Sequence, residues 1–139
     1  MERPRILVCG GRDFNNWDLL RNTLYNICDE RSWNYPHDKY GNYLPNVVII
    51  AGGAKGADDL ADQWAVINWT RLEVYKADWK KYGRRAGPIR NQQMLDEGKP
   101  DLVVAFPTPT STGTWDMVRR SQKNKIETII IGPFAENSI

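Results

Sequence analysis

Histidine is nearly absent from this chain; the one present is His37. A metal site built on several imidazoles is therefore excluded, and a Ser-His-Asp system would have only that residue as its base. Cysteine is scarce too. Cys9 and Cys28 are too few for a disulfide framework or a thiolate zinc site, and they read as reduced thiols, Cys9 within a strand. No apolar run reaches the ~18 residues that a membrane span needs. The opening Met1-Glu2-Arg3-Pro4 has no apolar signal-peptide core. The expectation is a cytoplasmic protein with no membrane partner. Excess charge is also missing: Lys and Arg total 19 against 17 Asp and Glu, a net charge of +2. That is too little to bind a polyanion through overall charge. Nothing in this residue set calls for a metal or an organic cofactor.

What remains describes one folded unit. The length of 139 residues is close to a single domain, and 41% hydrophobic with 26% charged residues excludes whole-chain disorder. Six Trp and six Tyr are many for so short a chain.

Five apolar runs read as strands: Arg5–Cys9, Val47–Ala51, Leu72–Tyr75, Leu102–Phe106 and Thr128–Ile131. Val47-Val48-Ile49-Ile50 and Ile129-Ile130-Ile131 are continuous rather than alternating, as in strands buried on both faces of a parallel sheet. Helical stripes fall between them. Trp17, Leu20, Leu24, Ile27 and Cys28 form one, capped by Asn15 or Asn16, and Leu60, Ala61, Trp64 and Ala65 a second. A third helix starts near Pro88 and stops at Gly98-Lys99-Pro100. A fourth runs from Thr114 to about Asn124, with Trp115 and Val118 inward and Arg119, Arg120 and Lys123 outward. The alternation predicts a single three-layer α/β domain on a mostly parallel sheet of about five strands, with right-handed crossovers. Two segments read as irregular: Ser32–Asn46, rich in aromatic residues, and Asp78–Gly87.

Ligands of open parallel sheets sit beyond the carboxyl ends of the strands. Gly10-Gly11-Arg12-Asp13 follows the first strand; glycines permit close approach, and Arg12 can pair with an anion. Gly52-Gly53-Ala54-Lys55-Gly56-Ala57-Asp58 follows the second and opens a helix, where free N–H groups favour phosphate. It is neither a Walker loop nor G-x-G-x-x-G. Asp58 suits either a ribose hydroxyl or the helix start. Pro107-Thr108-Pro109-Thr110-Ser111-Thr112-Gly113-Thr114 follows the fourth strand and again enters a helix. Between Lys76 and Arg90 lie Lys76, Lys80, Lys81, Arg84, Arg85 and Arg90 against Asp78 alone, with Trp79 and Tyr82 among them. A ring beside cations suits a nucleobase and its phosphate.

These segments occur in a recognisable order. Ile6–Phe14, Gly52–Asp58, Ala77-Asp78-Trp79, Ala86–Leu95 and Pro100–Pro107 together resemble the YspA and cpYpsA-related branch of the SLOG superfamily. The resemblance spans roughly Arg5 to Gly132, and 32–46 stands outside it as an insertion. It implies a Rossmann-like, nucleotide-binding fold. Relatives include lonely-guy phosphoribohydrolases, DNA-processing protein A, and sensors of NAD-derived or ADP-ribose-like signals in phage defence. In the phosphoribohydrolase motif the glutamate position falls on Met117, with Asp116 one residue earlier and about 100° around the helix. Thr110 and Ser111 replace two of its glycines, Gly113 and Thr114 match, and Arg90 matches the family arginine.

The resulting expectation is a protein that binds a nucleotide or nucleotide-derived ligand. Its ligand residues are Gly10, Gly11, Arg12, Gly52, Gly53, Lys55, Gly56, Asp58, Trp79, Arg90, Asn91, Pro107, Thr112, Gly113 and Thr114. A second expectation is a nucleotide N-glycosidase using Arg90 and Asp116, with Asp58 and Asp13 as further carboxylates. A third is a single-stranded nucleic-acid module on Lys76–Arg90. The resemblance also implies a homo-oligomer, for which Trp33, Tyr35, Tyr40, Tyr43 and Trp69 are the interface candidates.

Overall fold

The computed structural model describes residues 2–36 and 44–134. His37, Tyr40 and Tyr43 lie outside the described residues. Five strands form an all-parallel sheet: β1 (Arg5–Gly10), β2 (Val48–Ala51), β3 (Arg71–Val74), β4 (Leu102–Phe106) and β5 (Glu127–Ile130). Their order is β3-β2-β1-β4-β5. Every residue of β2 and β4 is buried, which accounts for their unbroken apolar sequences.

The helices divide by face. Ile6, Val8, Ile49 and Val104 pack under α1 (Trp17–Glu30) and α2 (Ala57–Ile67). Leu7, Ile50, Val103 and Ala105 pack under α4 (Ala86–Gly98) and α5 (Thr112–Lys123). The face changes where the sheet stops growing towards β3 and resumes on the far side of β1, as crossovers of one hand require. Trp64 is fully buried in the first of these layers, its ring centroid 5.3 Å from that of Tyr25. Among the described residues no helix is long and apolar enough to cross a membrane.

Asp78–Gly87 is not irregular. Asp78 caps a four-residue helix, α3 (Trp79–Tyr82), by accepting from the Lys81 N–H at 3.1 Å. A 3-10 turn at Gly83–Arg85 then runs directly into α4. One outward assignment on α5 also needs correcting. Arg120 folds back to donate to Asp116 (2.8 Å) and Gln92 (3.0 Å). Arg119, though exposed, borders the cleft described below.

The described ends of the 32–46 segment form a two-stranded stem, with an antiparallel bridge between Asn34 and Pro45. Tyr35 N–H donates to Leu44 O at 2.8 Å, and Asn46 N–H to Trp33 O at 2.7 Å. The stem joins the amino end of β2. Trp33 packs on the core, whereas Tyr35 is exposed.

Candidate functional site

The strand order reverses between β1 and β4, so the loops leaving them diverge and open a crevice. A cleft of about 640 Å³ lies there. The β1–α1 loop, the start of α4 and the start of α5 form its walls.

The glycines of the first wall are explained by packing. A Cβ on Gly10 would stand 2.5 Å from the Ala57 Cβ, and one on Gly11 would stand 2.1 Å from Thr108 Oγ1. Gly11 N–H donates to Phe106 O at 3.1 Å, and the Thr108 hydroxyl donates to Asp13 at 2.6 Å. These bonds pin the β1 loop to the β4 loop across the switch point. Ser111 holds the turn beyond it, donating to Thr108 O and accepting from Thr108 N–H, each at 2.8 Å. Gly113 differs, because a Cβ there would meet nothing within 4 Å. The α5 start is thus open to a ligand at the residue where backbone N–H groups lack helical partners. Next to it, the buried Thr114 hydroxyl has no hydrogen-bond partner among the described residues.

Arg90 reaches this region from α4. Its Nη1 donates to Gly52 O at 2.5 Å and its Nε to Asn91 Oδ1 at 3.2 Å. It is half-buried and has no ion pair among the described residues. Burial lowers its pKa, Asp58 opposes that shift, and the Arg12 charge adds to it. Arg12 in turn lies over the Trp79 ring, 5.4 Å from its centroid.

Asp58 is buried at 6% exposure and accepts from Ala54 N–H at 3.2 Å. Burial pushes its carboxyl up to about 6, against the pull of the Ala54 N–H and Arg90. The raised value fixes the sign of its effect on stability. Below pH ~4 the group is neutral in both folded and unfolded chains; its cost grows as pH rises from 4 to 6 and reaches about 3 kcal/mol above that. Asp58→Asn keeps an acceptor for Ala54. It is expected to be more stable than wild type at pH 7 to 8 and equal to it near pH 4, as checked by urea unfolding across that range.

Asp116 is held firmly. Its Oδ2 accepts from Asn91 at 2.9 Å and from Arg120 at 2.8 Å, while Asn91 also donates to Gly113 O at 3.2 Å. The Cys9 thiol borders the cleft, and burial raises its pKa well above the ordinary range, which favours the protonated thiol.

The structure therefore brings Gly10, Gly11, Arg12, Asp58, Trp79, Arg90, Asn91, Thr112, Gly113, Thr114 and Asp116 to one cleft. Gly52, Gly53, Lys55, Gly56 and Pro107 are not in its lining; from the β2–α2 turn, Ala54 and Asp58 reach it. Gly52 contributes indirectly, through the carbonyl that holds Arg90. Arg84 reaches the lining from the Lys76–Arg90 cluster, whereas Arg119 was not expected there. Arg119 was legible in principle: it is seven residues after Thr112, two turns along the same helix face.

Known proteins agree with this architecture. DNA processing protein A (DprA) from Streptococcus pneumoniae aligns over 93% of this chain with a TM-score of 0.66. Identity is 16%, so the likeness is one of fold, and the chain spans 50% of that protein's length. The Gene 61 protein of Mycobacterium phage D29 is 35% identical over 140 residues, covering 92% of this chain and 96% of the relative. Residues 4–82 match the profile of the YspA, cpYpsA-related SLOG family. That stretch runs from β1 through α3 and supplies one wall of the cleft, and with the full-length relative it places the chain in the YspA, cpYpsA-related SLOG family.

Proposed function

We propose that the cleft binds a nucleotide or nucleotide-derived ligand, a nucleoside phosphate or an ADP-ribose-like molecule. One observation carries this reading. Arg90 is half-buried, with Asp58 nearby but no ion pair among the described residues, and shares the cleft with the open Gly113 and the Thr114 hydroxyl, unpartnered among the same residues. A phosphate there would receive a charge-assisted bond from Arg90, backbone N–H groups of α5 and the Thr114 hydroxyl. Arg12 adds a second cation, and Trp79, 49% exposed, offers a ring face to a base.

Calorimetric titration with ADP, ADP-ribose, AMP, adenosine and inorganic phosphate tests the reading. The phosphorylated nucleosides are expected to bind at least about tenfold tighter than adenosine, since one charge-assisted bond is worth roughly 1.5–3 kcal/mol. Trp79→Ala should lower nucleotide affinity more than inorganic-phosphate affinity. Equal affinity for adenosine and AMP would overturn the phosphate placement. Release of base or phosphate during the titration would instead direct attention to hydrolysis, with Asp116 and Asp58 as its carboxylates.

A second reading has its own observation. Lys76, Lys80, Lys81, Arg84 and Arg85 are exposed and form no ion pair among the described residues, beside the exposed rings of Trp79 and Tyr82. This suits a single-stranded nucleic acid. An oligonucleotide in the same titration would then bind with an affinity that falls steeply as salt rises.

A further inference from the structure

β3 is an edge strand whose outer side pairs with nothing among the described residues. Tyr75 N–H donates inward to Ala51 O at 2.9 Å. Strand residues alternate, so Arg71 and Glu73 also direct their backbone groups towards β2, while Leu72 and Val74 direct theirs outward. Such unpaired groups are a template for another strand unless the edge is blunted by proline, a bulge or an inward charge. At four residues Arg71-Leu72-Glu73-Val74 is a short edge, but it has neither proline nor bulge, and its two charges are of opposite sign.

We propose that the occupant of this edge is a second copy of the chain, paired antiparallel about a two-fold axis through Leu72. The sequence is self-complementary in that register. Each Leu72 exchanges both backbone bonds with Leu72 of the second copy, and each Arg71 falls opposite Glu73 of the second copy, twice over. The charges are set up for it. Glu73 is fixed by a 2.5 Å bond from Arg5, whereas Arg71 is 67% exposed and only 3.8 Å from its own Glu73. The other edge lacks this pattern. The one charged residue of β5, Glu127, is already held by both guanidinium nitrogens of Arg31.

Trp69 supplies an independent reason. It ends α2 in a Schellman-type turn, with Trp69 N–H on Val66 O (3.2 Å) and Thr70 N–H on Ala65 O (3.0 Å). Its φ is +57°, where glycine is usual and a bulky side chain is strained. The indole is nonetheless 89% exposed, with Val66 and Ile67 exposed beside it. Among the described residues the strain is not repaid by burial of the ring. In the proposed pairing, Trp69 of each copy comes alongside the Val74–Tyr75 end of the other, and Val74 is itself exposed.

Sedimentation equilibrium on the full chain tests this. A reversible dimer is expected. Arg71→Glu would weaken it by roughly tenfold or more, since both cross-strand pairs become repulsive. Trp69→Gly relieves the strained turn, so the monomer stays folded by circular dichroism while dimerisation weakens. Leu72→Cys should cross-link to a covalent dimer under mild oxidation, because paired residues in this register stand about 5.5 Å apart at Cα. A monomer at all concentrations, a dimer indifferent to both Arg71→Glu and Trp69→Gly, or a dimer that Leu72→Cys fails to cross-link would each overturn the proposal. The edge is separate from the cleft, so this outcome does not depend on nucleotide binding.

Discussion

Arg90→Ala is expected to weaken binding of a phosphorylated nucleoside by about 100-fold, with the chain still folded. The size follows from where the guanidinium stands. It is half-buried, one nitrogen holds the Gly52 carbonyl at 2.5 Å, and no carboxylate is within ion-pair distance among the described residues. Asp58 offsets the cost of burying this cation only in part, and an incoming phosphate removes more of it. Alanine forfeits both the bond to the ligand and this relief. The fold should tolerate the change: Arg90 donates to Gly52 and to its neighbour Asn91, and no other bond between elements depends on it. Arg90→Lys should recover only part of the affinity, because an ammonium cannot hold Gly52 and present a planar fork at the same time. Calorimetry with AMP, beside circular dichroism of each variant, checks the prediction. A variant that is folded and binds AMP as wild type does would remove Arg90 from the site.

Gly56→Ala is expected to cost about 2–4 kcal/mol of stability, and hence to lower Tm by roughly 10 °C in a domain of this size. Two causes act together. Gly56 has φ +77° and ψ −127°, a conformation in which an L side chain is strained. Its Cβ would also lie 2.2 Å from Gly11 O and 2.6 Å from Arg12 O. Both obstacles are backbone, so no rotamer change relieves them. Relief would require the β1 loop to move, and that loop carries Arg12 and is bonded to the β4 loop. Gly113→Ala is the matching control. With open space around it, it should leave Tm nearly unchanged while reducing nucleotide affinity. Thermal unfolding and calorimetry on the two variants separate packing glycine from ligand glycine.

That contrast marks how far the sequence could be read. The strands were legible because β2 and β4 are unbroken apolar runs, and α1 and α2 because their stripes recur at helical spacing. That a site lies beyond the carboxyl ends of the strands followed from the parallel sheet, but the strand order that singles out β1 and β4 did not. The glycines were harder. A glycine reports that something approaches the backbone closely, but not whether that is a phosphate or another loop. Gly10, Gly11 and Gly56 turn out to accommodate neighbouring chain segments, and of the expected ligand glycines only Gly113 faces open space. α3 was missed because four residues are too few to show a period. Arg120 was read as solvent-facing because its partner Gln92 is on a different helix, 28 residues away.

The register of the central strand has a kinetic consequence. β1 is completed within the first ten residues, yet one of its two partners is β4, with Ile6 opposite Leu102 and Gly10 opposite Phe106. Closing that loop is entropically slow and waits for most of the chain to be available. On a ribosome, β1 would first meet β2 and leave its other side bare until β4 emerges. The crevice is built on that last pairing. Refolding followed by AMP binding should therefore lag behind refolding followed by helix content, because the pocket comes into being only when β1 meets β4.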